Sequence, residues 1–167
     1  MMFHQHRQAG FSLPELMIAS SVLLGLATVS AGSYSRYLQH ETLKSATIEA
    51  QNWIEDVSRI AEQHNTSCII EALPSGLMQE ATSNPVSCSI PEAIQLEASL
   101  SGEFNDANKV LIAFTPKGTS AEGQELELSV DGLETQRCIL VSQPLGLIRN
   151  GIKKGSGPCD YNETIGV

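Results

Sequence analysis

Glu15 is the first residue that demands a chemical explanation. It heads a segment, residues 16–35, that carries no charge. A carboxylate at the edge of so apolar a run is costly to bury without a cation or hydrogen-bond donors. Gly10 closes a short polar leader, His4-Gln5-His6-Arg7-Gln8-Ala9-Gly10, and Phe11 follows it. A proteolytic cut after Gly10 would leave a cationic amine on Phe11, about one helical turn from Glu15. Negative charge at Glu15 also favours a helix N-terminus in its own right.

Four cysteines form the second reactive set: Cys68, Cys88, Cys138 and Cys159. Their spacings are too wide for a zinc ribbon, and no C-x-x-C occurs. An even number points to disulfides in an oxidising compartment, and four cysteines allow three pairings. The local pairs, Cys68 with Cys88 and Cys138 with Cys159, are the preferred ones. The third set is basic. Between Gln136 and Cys159 lie Arg137, Arg149, Lys153 and Lys154 with no acidic residue, and glycines at 151, 155 and 157. Phosphate contacts need such cations. A formal net charge of -9 argues against general attraction to nucleic acid.

Enzymatic chemistry has little to stand on. Of the histidines, His4 and His6 lie in the leader, and His40 and His64 fall on a helix without a nucleophile beside them. No phosphate-binding glycine loop is present. The chain is read as a non-enzyme, with no cofactor and no metal.

The elements that must position these groups follow from periodicity. The uncharged run is about long enough to cross a bilayer core, which takes ~20 residues. Ala19, Ser20, Ser21, Gly25, Ala27 and Gly32 are small, as close helix packing requires. Arg7, with His4 and His6, marks the leader side as cytoplasmic. Beyond the run, Ala46, Ala50, Trp53, Ile54, Val57, Ile60 and Ala61 recur at helical spacing, and Asn65 is a stop. One long helix over residues 11–64 is the result. Strands are expected at 109–114, 124–130, 137–141 and 145–149, with a turn at Thr115-Pro116-Lys117-Gly118 and a hairpin at Asp131-Gly132. The segment from Asn65 to Asn108 reads as loops and short strands. The cations Arg149, Lys153 and Lys154 are expected on a surface loop.

The heptapeptide Gly10-Phe11-Ser12-Leu13-Pro14-Glu15-Leu16, followed by the apolar run, resembles the class III signal of type IV prepilins and pseudopilins. An ordinary secretory signal is cut after its apolar region, not before it. The resemblance implies cleavage between Gly10 and Phe11 by a prepilin peptidase and N-methylation of Phe11. It also implies a role for Glu15 in neutralising the N-terminal amine of a neighbouring subunit. Phe114-Thr115-Pro116-Lys117-Gly118, the alternating strand after it, and Gly146-Leu147-Ile148-Arg149 look like the GspH/FimT-type minor pilins, although the first arginine of their glycine-arginine-x-arginine element is missing. The implied fold is α+β. A long N-terminal helix, its first half membrane-embedded, packs on a small antiparallel sheet domain of pilin-like type. Residues 1–10 would be the leader, 11–35 the transmembrane and assembly half, and 36–167 the globular domain. The implied protein is a single-pass inner-membrane subunit, with its C-terminal domain in the periplasm or an extracellular filament. It would serve a type IV pilus or a type II secretion filament beside other pilin or pseudopilin subunits. The alternative is a FimT-like minor pilin that binds DNA through Arg149, Lys153 and Lys154.

Overall fold

The computed structural model describes residues 12–80, 88–102 and 109–161, with residues 26–32 described by their backbone alone. Gly10 and Phe11 lie outside the described residues. By its contacts the chain divides into two units, residues 1–38 and 39–167.

Helix α1 runs Leu13–Gln63. Its start is written in Ser12-Leu13-Pro14-Glu15. Leu16 N–H donates to the Ser12 carbonyl (3.1 Å), closing the first turn. Pro14 falls in that turn, where its missing N–H costs nothing. The end of α1 is a Schellman motif. Asn65 N–H donates to the Glu62 carbonyl (3.2 Å) and Thr66 N–H to the Ala61 carbonyl (3.0 Å). Asn65 takes φ 47°, the left-handed conformation that position requires, and asparagine tolerates it better than most residues.

Among the described residues, no helix is long and apolar enough to cross a membrane. This overturns the expected membrane-embedded first half and the expected single-pass inner-membrane placement. The physical reason lies in dilution by small and hydroxyl-bearing residues. Ala19, Ser20 and Ser21 thin the apolar content. The Ser20 and Ser21 hydroxyls turn back onto the carbonyls of Met17 (3.0 Å) and Ile18 (2.8 Å).

The second unit also departs from the expected single small sheet. Among the described residues it holds two antiparallel sheets of four strands each. The first has the order β3 (Ile94–Gln95), β2 (Gly76–Gln79), β1 (Cys68–Leu73), β5 (Val110–Phe114). The second has the order β4 (Ser99–Gly102), β6 (Gln124–Ser129), β7 (Thr135–Val141), β8 (Ile148–Lys154). They meet where Leu100 N–H of β4 donates to the Pro74 carbonyl in the β1–β2 turn (3.0 Å).

One core serves both sheets and the second half of α1. From the helix come Leu43, Ala46, Ala50, Trp53, Ile54, Val57 and Ala61, a stripe at three- and four-residue steps. From the sheets come Ile70, Ile112, Phe114, Leu126, Leu128, Ile139 and Val141. Trp53 is packing, and its indole N–H is satisfied by the Glu92 carbonyl (3.0 Å). Thr47 is buried on the same stripe because its hydroxyl donates to the Leu43 carbonyl (2.7 Å).

Candidate functional site

Three places carry the residues singled out from the sequence. The first is the head of α1. The Ser12 backbone N–H donates to Glu15 Oε2 at 3.5 Å, half of a capping box. Glu15 therefore sits at the third helical position, where a carboxylate also meets the positive end of the helix dipole. Around it the apolar side chains are uncovered. Leu13 is 79 %, Met17 70 % and Leu24 69 % exposed, with Leu16, Ile18, Val22 and Leu23 also exposed. Isolated exposed leucines are ordinary, but a contiguous apolar surface marks an interaction site.

The second place is the outer face of the β4-β6-β7-β8 sheet. Arg149, Lys153 and Lys154 lie on strand β8, not on the expected loop. The glycines at 151, 155 and 157 suggest a loop, whereas register with β7 makes Ile148–Lys154 a strand. By strand parity Arg149 and Lys153 share one face and Lys154 the other. Lys153 is ion-paired with Glu127 across β7. The three cations therefore do not form one cluster. Arg137, on β7, turns its partly buried guanidinium to the α1 side. Burial lowers its pKa from the ordinary arginine value, and the nearby Glu41 carboxylate opposes that shift.

Both disulfides are the local pairs. Cys68–Cys88 joins the start of β1 to Cys88, with Cα atoms 5.6 Å apart. Cys138–Cys159 ties β7 to the C-terminal segment, with Cα atoms 6.3 Å apart. The latter brings Tyr161 against β6, where its hydroxyl is buried. Burial raises the Tyr161 pKa, and the adjacent Glu125, then Glu127, raise it further. Beside these groups is a cavity of about 630 Å³ lined by Ser101, Gly102, Gly123, Glu125, Glu127 and Leu140. The sequence reading missed this grouping. Alternation in β6 showed that Glu125 and Glu127 face outward, but the tyrosine arrives from far along the chain. Glu125, Cys138 and Cys159 also bring possible ligand atoms within 4.8 Å of one another. Two of the three are joined as a disulfide, which offers no thiolate to a metal.

The raised Tyr161 pKa has a signed consequence. The folded state holds the phenol neutral to higher pH than the unfolded chain does. The contribution to stability is complete below the ordinary tyrosine value of about 10 and is lost as pH rises beyond it. Urea midpoints should therefore fall more steeply above about pH 10 for the wild type than for Tyr161→Phe. Parallel profiles would show that the phenol is not buried in solution.

The third place joins the two C-terminal sequence signals. Phe114 is fully buried in the core. The turn after it closes with Gly118 N–H donating to the Thr115 carbonyl (2.9 Å) and Thr115 N–H to the Thr119 carbonyl (2.8 Å). The turn docks on α1 through the Ser58 hydroxyl, which donates to the Gly118 carbonyl (3.1 Å). Gly146 sits in the β7–β8 connection at φ 66°, with its bare Cα against the Gly118 carbonyl, Thr119 and Ser120. The expected strand at 145–149 is this connection up to Leu147, and β8 begins at Ile148. No protein-family model, curated protein or solved structure matches the chain.

Proposed function

We propose that the chain is a minor subunit of a filament of the type IV pilus or type II secretion kind. It is made as a precursor, cut between Gly10 and Phe11 by a prepilin peptidase, methylated at Phe11, and assembled with other pilin or pseudopilin subunits through the head of α1. The observation that carries the reading is the uncovered apolar surface of α1 from Leu13 to Leu24, headed by Glu15. Such a surface is satisfied by packing against other helices, and its small residues permit a close approach. Two features quoted from the sequence add support. The Phe114–Gly118 turn and Gly146 lie against each other in the structure. The paired cysteines suit an oxidising compartment.

DNA capture has weaker support. Lys153 is already neutralised by Glu127, and Lys154 lies on the other face of β8 from Arg149. Three phosphate contacts from these residues would need rearrangement of the sheet face.

The test is Glu15→Ala. The globular unit should unfold at an unchanged temperature, because among the described residues the hydrogen bond of Glu15 lies within the first turn of α1. Recovery in sheared filaments should fall roughly tenfold or more, since removing one partner of a desolvated ion pair leaves the other uncompensated. Equal recovery of variant and wild type would argue against pairing of Glu15 with a neighbour's amine.

A further inference from the structure

The C-terminal segment, residues 158–161, lies as a strap along the free edge of β8. The chain reverses through Lys154-Gly155-Ser156-Gly157. Asp160 then exchanges both backbone hydrogen bonds with Ile152, each 2.9 Å. Cys159 reaches across β8 to Cys138 on β7. The crossing needs Gly151 beneath it, because a Cβ there would lie 2.7 Å from the Asp160 carbonyl oxygen and 2.9 Å from Tyr161 Cδ1. Among the contacts that hold the strap are the Cys138–Cys159 bond, the Asp160–Ile152 bridge to an edge strand, and the packing of Tyr161 beside Glu125.

The two disulfides differ in access. Cys68 and Cys88 are both buried, and so is Cys138, but Cys159 is half-buried. Exchange with a thiolate requires approach to a sulfur, so a small dithiol meets Cys159 first. The dithiol gives two electrons and two protons to the Cys138–Cys159 bond and closes to its own disulfide. Two thiols remain, and only non-covalent contacts hold the strap. Once it lifts, the N–H and C=O of Ile152 face outward on an open sheet edge. Such an edge is a template for another strand. A second β8 is a poor occupant, because its sequence, Ile148–Lys154, offers this basic edge no acidic residue. A strap bearing Asp160 is complementary in charge, and its fit to Gly151, Ile152 and Cys138 already exists. Exchange of identical elements needs no new surface, and the glycine-rich reversal gives the freedom to swing.

We infer that residues 158–161 are an exchangeable strap. Reduction by a dithiol releases it, the strap of a second copy takes the β8 edge, and a disulfide oxidant removes two electrons and two protons to join Cys138 of one copy to Cys159 of the other. This does not depend on the filament reading. The experiment mixes equal amounts of the full chain in natural and nitrogen-15-labelled form at high concentration. The mixture is treated with limiting dithiothreitol, reoxidised with oxidised glutathione and digested without reduction. The Cys138–Cys159 linked peptides should carry mixed labels, approaching about half of the total at full exchange. The Cys68–Cys88 linked peptides in the same sample should keep a single label. Absence of mixed Cys138–Cys159 peptides overturns the inference. So does resistance of that bond to dithiothreitol in the native protein, or equal mixing at both disulfides, which would report general unfolding.

Discussion

A chain carrying Gly10→Glu should stay uncut. The leader ends in the one residue with no side chain, placed directly before Phe11 and five before Glu15. A peptidase that accepts glycine there must bring its own groups against the backbone. A glutamate would place both bulk and an unpaired charge in that space. Burying a charged or polar group without a partner costs at least a few kcal/mol. Each 1.4 kcal/mol is about tenfold in rate, so processing should fall by roughly a hundredfold or more. Mass spectrometry of the protein made with the peptidase present should find wild type lacking residues 1–10 and the variant still beginning at the leader. The variant's globular unit should fold normally, because the Ser12–Glu15 cap and the core of α1 lie beyond the change. Normal cleavage of Gly10→Glu would sink the processing site, and the filament reading would lose its main sequence support with it.

The parts of the fold legible in the sequence are those in which one periodicity dominates. The stripe from Ala46 to Ala61 could be read because its other faces carry Glu49, Glu55, Asp56 and Arg59. Strand β6 could be read because leucines alternate with glutamates. Strand β1 could not, since its inward residues are Cys68, Ile70 and Ala72 while an isoleucine, Ile69, stands between them. Strand β4 offers one apolar residue, Leu100, and β3 has two residues in all. Their existence depends on neighbours from elsewhere in the chain, which is why one sheet was expected where two occur. The membrane expectation failed for a different reason. The small residues read as allowing close helix packing, Ala19, Ser20, Ser21 and Gly25 among them, also dilute the apolar content of the run. The site divides in the same way. The cysteine pairing was recoverable because both pairs are local, whereas Tyr161 beside Glu125 is a product of the Cys138–Cys159 crossing.

Gly146→Val should be the most damaging single change in the β7–β8 connection. Gly146 holds φ 66°, and its N–H donates to the Ser142 carbonyl (2.8 Å). A left-handed conformation costs a non-glycine residue about 1–2 kcal/mol, and a β-branched one has the least tolerance for it. A side chain must also enter space held by the Gly118 carbonyl, with Ser120 N and Thr119 Cα each 3.1 Å from the Cβ position. These are backbone atoms, so relief requires moving the whole 115–119 turn. That movement would pull Gly118 away from the Ser58 hydroxyl on α1. Overpacking of this kind costs a further ~1–3 kcal/mol. The sum, roughly 2–5 kcal/mol, is a third or more of the stability of many small domains. Gly155→Val separates the two terms. Gly155 has φ 61° but nothing within 4 Å of its Cβ position, so it should show the backbone cost alone. Urea denaturation of both variants should place Gly146→Val well below Gly155→Val at unchanged slope. Equal losses would mean that the 115–119 turn and the β7–β8 connection are not in contact in solution. The residues that resemble the minor-pilin signature would then have no shared structural role.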